Sequence, residues 1–557
     1  GHQVRVLGEV REFYNRTQLA TTTDAVDCGV QGDVATAALT LPAANSTAFE
    51  SVEGMQVSIA QTLTVTDNYD LAKYGQFAVS NGRLVKPTNI HPAGSAQAIA
   101  LQQQNNLNRL LIDDKNDTKN PEVVPFPEGN LSHANTLRLG DSVSNIVGTL
   151  DYSYGEYRVL PSQVLQFTHT NARTDVPVLA TGSLKVASFN VLNYFNGPEF
   201  PTARGASSEL EFERQSSKIV SAIAAMNADI VGLMEVENDG WGENSAVAEL
   251  VNRLNMAMGE NTYRYVTYDG TALGGDKIAS GIIYKPSKVA LVGDAVSILG
   301  VPFDYGNRPP LVQTFSEIAS SEEITIAVNH FRSKGSCGSA TGGNQDSGDG
   351  QGCWNQVRVD AANSLMSWLA TNPTGSSDAD VLIIGDLNSY GSEDPIITLI
   401  NGGYQDLVKR FSGNAGYSYS YGGEIGYIDH ALASESLASQ VTDTAIWHIN
   451  TDEPKALDYN VENKSEANQA NFYGADPYRA SDHDPIIISI QLASDTVLAG
   501  DLDGDGDVDM NDVRAFSNGL RAGQSFDMSF DFNKDGTVSN ADVRAMMAIC
   551  TRSRCAV

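Results

Sequence analysis

The run Ala480-Ser481-Asp482-His483-Asp484-Pro485 sets a carboxylate beside an imidazole where the apolar stretch Pro485-Ile486-Ile487-Ile488 begins. That pairing suits metal-assisted hydrolysis of phosphoesters. An aspartate is a hard oxygen ligand for a divalent cation, and a histidine oriented by a second acid exchanges a proton near neutral pH. An isolated Asp-His pair is also an ordinary capped turn, so the companions of this run decide its meaning. They are Ser188-Phe189-Asn190-Val191-Leu192-Asn193, Leu233-Met234-Glu235-Val236-Glu237-Asn238, Val328-Asn329-His330-Phe331-Arg332-Ser333-Lys334, Ile383-Ile384-Gly385-Asp386-Leu387-Asn388 and Tyr427-Ile428-Asp429-His430. Each polar group stands at or just past the end of an apolar, β-branched run, so the strands that position them are expected to bring all of them to one rim of a sheet core.

The order and wording of these motifs resemble the endonuclease/exonuclease/phosphatase superfamily, the fold of pancreatic deoxyribonuclease, and its branch of large secreted bacterial nucleases. The likeness covers residues 184–493. It implies a four-layer α/β sandwich, consistent with helical spacing at residues 214–226, 245–258 and 357–369. It also assigns roles. Glu235 is the main Mg²⁺ or Mn²⁺ carboxylate, assisted by Asn190 and Asp482, since a hard cation takes oxygen ligands. Asp386 positions the attacking water or the metal, and Asn388 donates to a phosphate oxygen. His483 is the base that activates water, with Asp429 fixing its tautomer. His330 either protonates the leaving oxygen or steadies the phosphate, with Asp276 as its orienting acid. Arg308, in Asn307-Arg308-Pro309-Pro310, forks onto a backbone phosphate, with Arg332 and Lys334 as further phosphate contacts. One departure is Leu192, where some members carry an aspartate. Tyr263, Tyr265 and Tyr268 alternate as one strand face on the core would, and Tyr268 is alternatively the stacking aromatic.

Near the C-terminus a twelve-position pattern occurs twice. Asp501, Asp503, Asp505, Asp507, Asp509 and Asp512 form one copy around Gly506. Asp531, Asn533, Asp535, Thr537, Ser539 and Asp542 form the other around Gly536. Oxygen side chains at positions one, three, five, nine and twelve, a glycine at six and a carbonyl at seven make an EF-hand-type Ca²⁺ loop. The paired loop-helix arrangement resembles a dockerin, which implies two structural Ca²⁺ ions and either a cohesin-like partner or a calcium-stapled end.

Residues 1–168 read as all-β, with strands suggested at Val4–Val10, Met55–Ala60, Thr62–Val65 and Gly75–Ser80, and one helix from Ala96. The resemblance implies an OB-like barrel here, serving either as support or as a holder of single-stranded nucleic acid. Residues 169–183 are expected to link it to the catalytic-like domain, and 494–557 to form the calcium module. The chain is thus expected to be multidomain α+β.

Cys337 and Cys353 flank a Gly-, Asn- and Asp-rich loop that needs a bond to close it, and Cys550 lies near Cys555, leaving Cys28 over. Two disulfides imply an oxidising compartment, hence secretion or the cell surface. No run long enough for a membrane span occurs, and the start at Gly1-His2 reads as a processed or trimmed form. A net charge of -32 repels a polyanion, yet marine-like salt shrinks the screening length to roughly 4 Å and leaves local potentials in charge. Arg264, Lys277, Lys285, Arg308, Arg332, Lys334 and Arg358 are the local cations. The reading is a secreted, metal-dependent nuclease acting on DNA, and on RNA too, with little sequence preference. The alternatives are a relative using the same site on phospholipid headgroups, sugar phosphates or nucleotides, and a calcium-dependent surface module with an inactive catalytic domain.

Overall fold

Short runs of β-branched residues punctuated by polar turns build two six-stranded sheets in the centre of the chain. One is ordered Arg264–Tyr265, Ile278–Tyr284, Ile230–Glu237, Leu184–Tyr194, Ile486–Ile490, Val441–Ile446, and the other Val289–Val296, Arg308–Glu317, Glu323–His330, Val381–Asp386, Asp429–Ala433, Gln405–Asp406. The computed structural model describes residues 1–270, 272–304, 306–492, 500–503, 508–550 and 555, apart from the side chain of Thr21. The sheets meet face to face through Val186, Ile230, Ile282, Ile326, Val328, Ile384 and Ile488, all fully buried. Helices Glu209–Met226 and Ala246–Met258 cover the outer face of the first sheet. Asn355–Leu369 and Asp394–Asn401 cover that of the second. The result is a helix-sheet-sheet-helix sandwich, because strands buried on both faces need apolar cover on each.

The N-terminal region begins with a long exposed hairpin, His2–Phe13 with Arg16–Val30. It continues into a nine-stranded sheet ordered Gln166–Thr168, Ser142–Ser144, Leu63–Asp67, Gln76–Ser80, Leu110–Asp113, Glu156–Pro161, Ile146–Ser153, Gln56–Ile59, Ala37–Leu39. Nine strands exceed the five usual for the OB-like barrel that the resemblance implied. The helix expected from Ala96 is Ala96–Leu107, capped by the Ser95 hydroxyl.

Two compact units divide the chain, Gly1–Leu492 and Ala493–Val557. The N-terminal sheet and the sandwich therefore form a single unit. Leu457 and Phe472 from the sandwich side enter the N-terminal core. A turn at Asn450–Glu453 is gripped from the N-terminal side. Arg83 and Arg138 pair with Asp452, Asn171 donates to it at 2.7 Å, and Arg138 and Arg173 pair with Glu453. Both carboxylates are fully buried, and the guanidiniums hold them below the usual carboxylate range against the opposing effect of burial. The stretch 169–183, expected to be a linker, is fastened along its length: the Thr174 carbonyl accepts from Trp447 and Tyr478, and Ala180 N–H donates to Asp443.

In the second unit, helices Met510–Arg521 and Asn540–Met546 pack through Val508, Val513, Phe516 and Met546. Each starts with a capping box, Asp509 with Asp512 and Ser539 with Asp542. Disulfides join Cys337 to Cys353 and Cys550 to Cys555, and Cys28 is free and exposed. Among the described residues no helix is long and apolar enough to cross a membrane.

Candidate active site

Register across the second sheet sets four functional side chains in a row. Arg308 pairs with His330, His330 with Asp386, and Asp386 with Asp429, on four adjacent strands. Directly paired residues share a face, so their side chains converge at the strand ends. Gly385 makes this possible: it has a φ of 129°, and a Cβ there would collide with the Asn329 carbonyl of the neighbouring strand. From the first sheet, Asn190 lies on Leu184–Tyr194 and Glu235 near the end of Ile230–Glu237, while His483 lies just ahead of Ile486–Ile490. Glu235 has a φ of 67° and Asn388 one of 48°, left-handed conformations uncommon outside glycine and concentrated at functional sites.

His483 Nδ1 lies 2.8 Å from Asp429 Oδ2, and Ser418 Oγ donates to that same oxygen at 2.7 Å. Asp429 thus fixes the ring and leaves Nε2 3.9 Å from Asp386 Oδ2. His330 Nε2 lies 3.4 Å from Asp386 Oδ2 and 3.9 Å from Glu235 Oε1. The Asn190 amide donates to Glu235 at 3.2 Å, and Asn193 N–H to the other Glu235 oxygen at 3.0 Å. Asn388 donates to the Phe331 carbonyl at 3.1 Å. His330, Asp386, Asp429 and His483 are all buried.

Charge is unevenly divided among these groups. Burial, then Asp482, raises the Glu235 carboxyl above the ordinary range, and burial with Asp429 and Glu235 raises Asp386. His483 is held well above the ordinary imidazole value by Asp429, Asp482 and Asp386, which outweigh its desolvation. Burial and the nearby Arg308 push His330 well below that value, so it is neutral. A neutral imidazole suits a hydrogen bond to phosphate better than protonation of a leaving group. The cluster thus gathers the carboxyls of Glu235, Asp386, Asp429 and Asp482 in little space, and the raised values of Glu235 and Asp386 are the response to burial and to that crowding. Glu235 and Asp386 offer carboxylate oxygens to the cleft, a donor type that fits a hard divalent cation, while Asn190 turns its amide nitrogen to both of them and its oxygen to Leu192 N–H. Asp386, Asp429 and His483 also present ligand atoms within 4.8 Å of one another, although the last two are already bonded together.

Several expected contacts fall elsewhere. Asp276 does not orient His330. It is taken by Arg308 at 3.0 Å and by Arg204 at 3.0 Å, because two guanidiniums attract a carboxylate more strongly than a neutral imidazole, and His330 Nδ1 has no partner. Arg332 stacks on Trp354 at 3.5 Å, and the Lys334 ammonium is buried against Glu393, so neither offers a loose cation to phosphate. Burial lowers the Lys334 pKa to about 8. Arg358 is wholly buried, its guanidinium spent on the Cys353 and Gln351 carbonyls, and Lys285 pairs with Asp229. Tyr263 is core, and Tyr268 packs against the inter-sheet core instead of the cleft. Arg204, Asn193 and Ser418 join the site without a motif to announce them.

The site opens into a cleft of about 1050 Å³ whose lining includes Glu235, Arg308, His330, Asp386, Asn388 and His483. In the second unit, Asp501, Asp503 and Asp512 bring carboxylate oxygens within 4.8 Å of one another. Asp512 accepts from Leu502 and Asp503 N–H, and Asp542 from Asn533 N–H. Asp505 and Asp507 lie outside the described residues. Asp531, Asn533 and Asp535 fold their side chains onto the backbone of their own loop, Asp531 reaching Gly536 N–H at 2.8 Å and Asp535 reaching Thr537 N–H at 2.9 Å.

Comparison with known proteins gives three family matches. The Endonuclease/Exonuclease/phosphatase family matches residues 187–483, a dockerin type I domain matches 499–548, and a domain of unknown function, DUF8508, matches 17–170. Among solved structures, an endonuclease/exonuclease/phosphatase family protein from Bacteroides thetaiotaomicron is 17% identical, covering 55% of this chain and 96% of its own, with a TM-score of 0.36. The human Nocturnin catalytic domain is 15% identical, covering 55% and 92%, with a TM-score of 0.34. Among curated proteins, the long isoform of ulvan lyase from Glaciecola sp. (strain KUL10) is 46% identical over 77 residues, 14% of this chain and 8% of that protein. The Alteromonas sp. (strain LOR) enzyme is 50% identical over 58 residues, 10% and 6% of the two chains. The chain thus spans less than a tenth of the length of these curated relatives.

Proposed function

The chain belongs to the endonuclease/exonuclease/phosphatase family, and from that premise we propose that it is a secreted phosphodiesterase that cuts nucleic acid internally, DNA first and RNA as well, with little sequence preference. Members of this family are usually metal-dependent hydrolases. The observation that carries the reading is the convergence of the Asp429–His483 pair, Glu235 and the row Arg308, His330, Asp386 at the cleft. Glu235, Asn190 and Asp482 would hold Mg²⁺ or Mn²⁺, which when bound supplies Lewis-acid charge for the phosphate and a more acidic water.

The remaining work falls to side chains of this chain. A cation held by those carboxylates would balance the charge that His483 otherwise compensates, and the His483 Nε2 would accept the proton of the attacking water. Asp429 keeps that ring oriented through Nδ1. Asp386 positions the water, Arg308 and Asn388 take the phosphate oxygens, and neutral His330 steadies the same group. The second unit would bind two Ca²⁺ ions and dock a cohesin-like partner, and the two disulfides support an oxidising, extracellular location.

Incubation of supercoiled plasmid, linear DNA and RNA with Mg²⁺, Mn²⁺ or chelator tests the reading. Metal-dependent nicking of the plasmid is the expected outcome. Absence of cleavage of all three, with turnover of a sugar phosphate or phospholipid headgroup, would replace nuclease by phosphatase or phospholipase.

A further inference from the structure

The cleft is not a property of the sandwich alone. The N-terminal Lys86, Thr88, Ile99, Gln102 and Gln103 line it too. Contacts fix this wall in place. Gly94 N–H donates to the Asp349 carbonyl of the disulfide loop at 3.0 Å, and Ser392 N–H donates to the Thr88 carbonyl at 2.9 Å. Leu84–Val85 pairs in parallel with Glu424–Gly426, extending the hairpin whose other strand is Tyr419–Tyr421. The same hairpin is gripped at Glu424 by Lys86 at 3.1 Å, Gln102 at 2.7 Å and Asn105 at 2.8 Å.

Tyr419 and Tyr421, two apart on one strand, present their rings to the same face, and both line the cleft. The Tyr419 ring centre lies 4.8 Å from that of His483, and Tyr421 is 69% exposed. On the N-terminal wall of the cleft, Ile99 leaves 52% of its surface exposed. Cations are confined to one end. Arg308 and Arg204 share the single carboxylate of Asp276 and so leave net positive charge beside the reacting groups, whereas Lys86 and Lys334 are each matched by a glutamate, and Asp346 and Asp349 make the disulfide-loop side acidic.

A duplex offers two phosphate backbones and hides its base faces. A single strand offers one backbone and bare faces, which stack on aromatic rings irrespective of sequence. One phosphate-binding end, two tyrosine rings beside it and an acidic far side match the second. The volume of about 1050 Å³, at the upper limit of the roughly 300–1,000 Å³ of small-ligand sites, holds a few nucleotides of one strand. We propose that the N-terminal domain completes a binding wall that selects single-stranded polynucleotide, with bases next to the scissile phosphate stacked on Tyr419 and Tyr421. This rests on the phosphodiesterase reading above.

The test offers the full chain one labelled oligonucleotide, alone or annealed to its complement, with Mg²⁺ for kinetics and with chelator for fluorescence anisotropy. The single strand is expected to have the higher kcat/KM and the tighter binding. Tyr421→Ala and Ile99→Asp, both at exposed positions, are each expected to lower the ratio of single-strand to duplex kcat/KM by about tenfold, mainly through KM. Tyr421→Phe should restore it. A merely structural role would lower both rates together, and that result, or equal binding of strand and duplex, overturns the proposal. Loss of all turnover with strand-selective binding retained would instead overturn the phosphodiesterase reading and leave the wall standing.

Discussion

At the scale of the residue, the proposed chemistry rests on the Asp429–His483 pair and Glu235, so each can be tested alone. His483→Ala and Glu235→Gln are expected to lower kcat by about 10²–10⁴-fold, the usual worth of a positioned acid-base group, with an unchanged circular dichroism spectrum; near-normal rates in either variant would refute the assignment. Glu237, two residues beyond Glu235, is a separate case. One of its carboxylate oxygens is buried without a partner, and desolvation, then Asp239, raises its pKa from 4.5 to about 7. The unfolded chain releases that proton near 4.5 and the folded chain near 7, so over this interval the folded form binds more protons and stability falls as pH rises. Glu237→Gln removes the loss. Its melting temperature should match that of the parent at pH 4.5 and exceed it above pH 7, as calorimetry at the two pH values would show. The sequence made most of the site legible because each functional group follows an apolar run, and a strand's end is what such a run predicts. It misled where partner choice is three-dimensional. Asp276 stands near no histidine motif and near no arginine in sequence, yet Arg204 and Arg308 reach it through the fold.

Elements decide how firmly those residues are held. The 337–353 loop has little regular structure beyond two short turns of 3-10 helix, and it contributes Asp346, Asp349 and Gly350 to the cleft. Its disulfide closes a separation of 16 residues, worth about 3 kcal/mol in the chain-entropy picture. Replacing Cys337 and Cys353 together by serine is expected to lower stability by that order, open the loop to limited proteolysis and raise KM more than it lowers kcat. Unchanged proteolysis and kinetics would show that the loop is held by its other bonds. Helices and strands of the sandwich were legible from period and β-branching. The hairpin Tyr419–Tyr421 with Glu424–Gly426 was not, since each strand is three residues long and its stabilising neighbour, Leu84–Val85, lies more than three hundred residues earlier.

For the whole molecule, two compact units are expected to unfold in two events, one for residues 1–492 and one for the dockerin-type unit. EGTA in the presence of Mg²⁺ should expose residues 500–548 to protease first while phosphodiester hydrolysis persists; resistance of that segment would count against the Ca²⁺ loops. Asp452→Ala should destabilise the larger unit by about 3–5 kcal/mol, because it strips a buried partner from Arg83 and Arg138 together. This seam was not legible in the sequence, since Asn450-Thr451-Asp452-Glu453 reads as a solvated loop until the arginines that enclose it are placed in space. The same turn reaches the reacting centre from behind: Asn450 donates to the His483 carbonyl at 2.6 Å, and Asn450 and Thr451 N–H both bond Asp484. The site is consequently not portable. Cut out at the family boundary, the sandwich would lose the guanidiniums that make a buried acid turn tolerable, and with them the backing of its own histidine, so grafting this core onto another carrier would require taking the N-terminal domain along as an integral part of it.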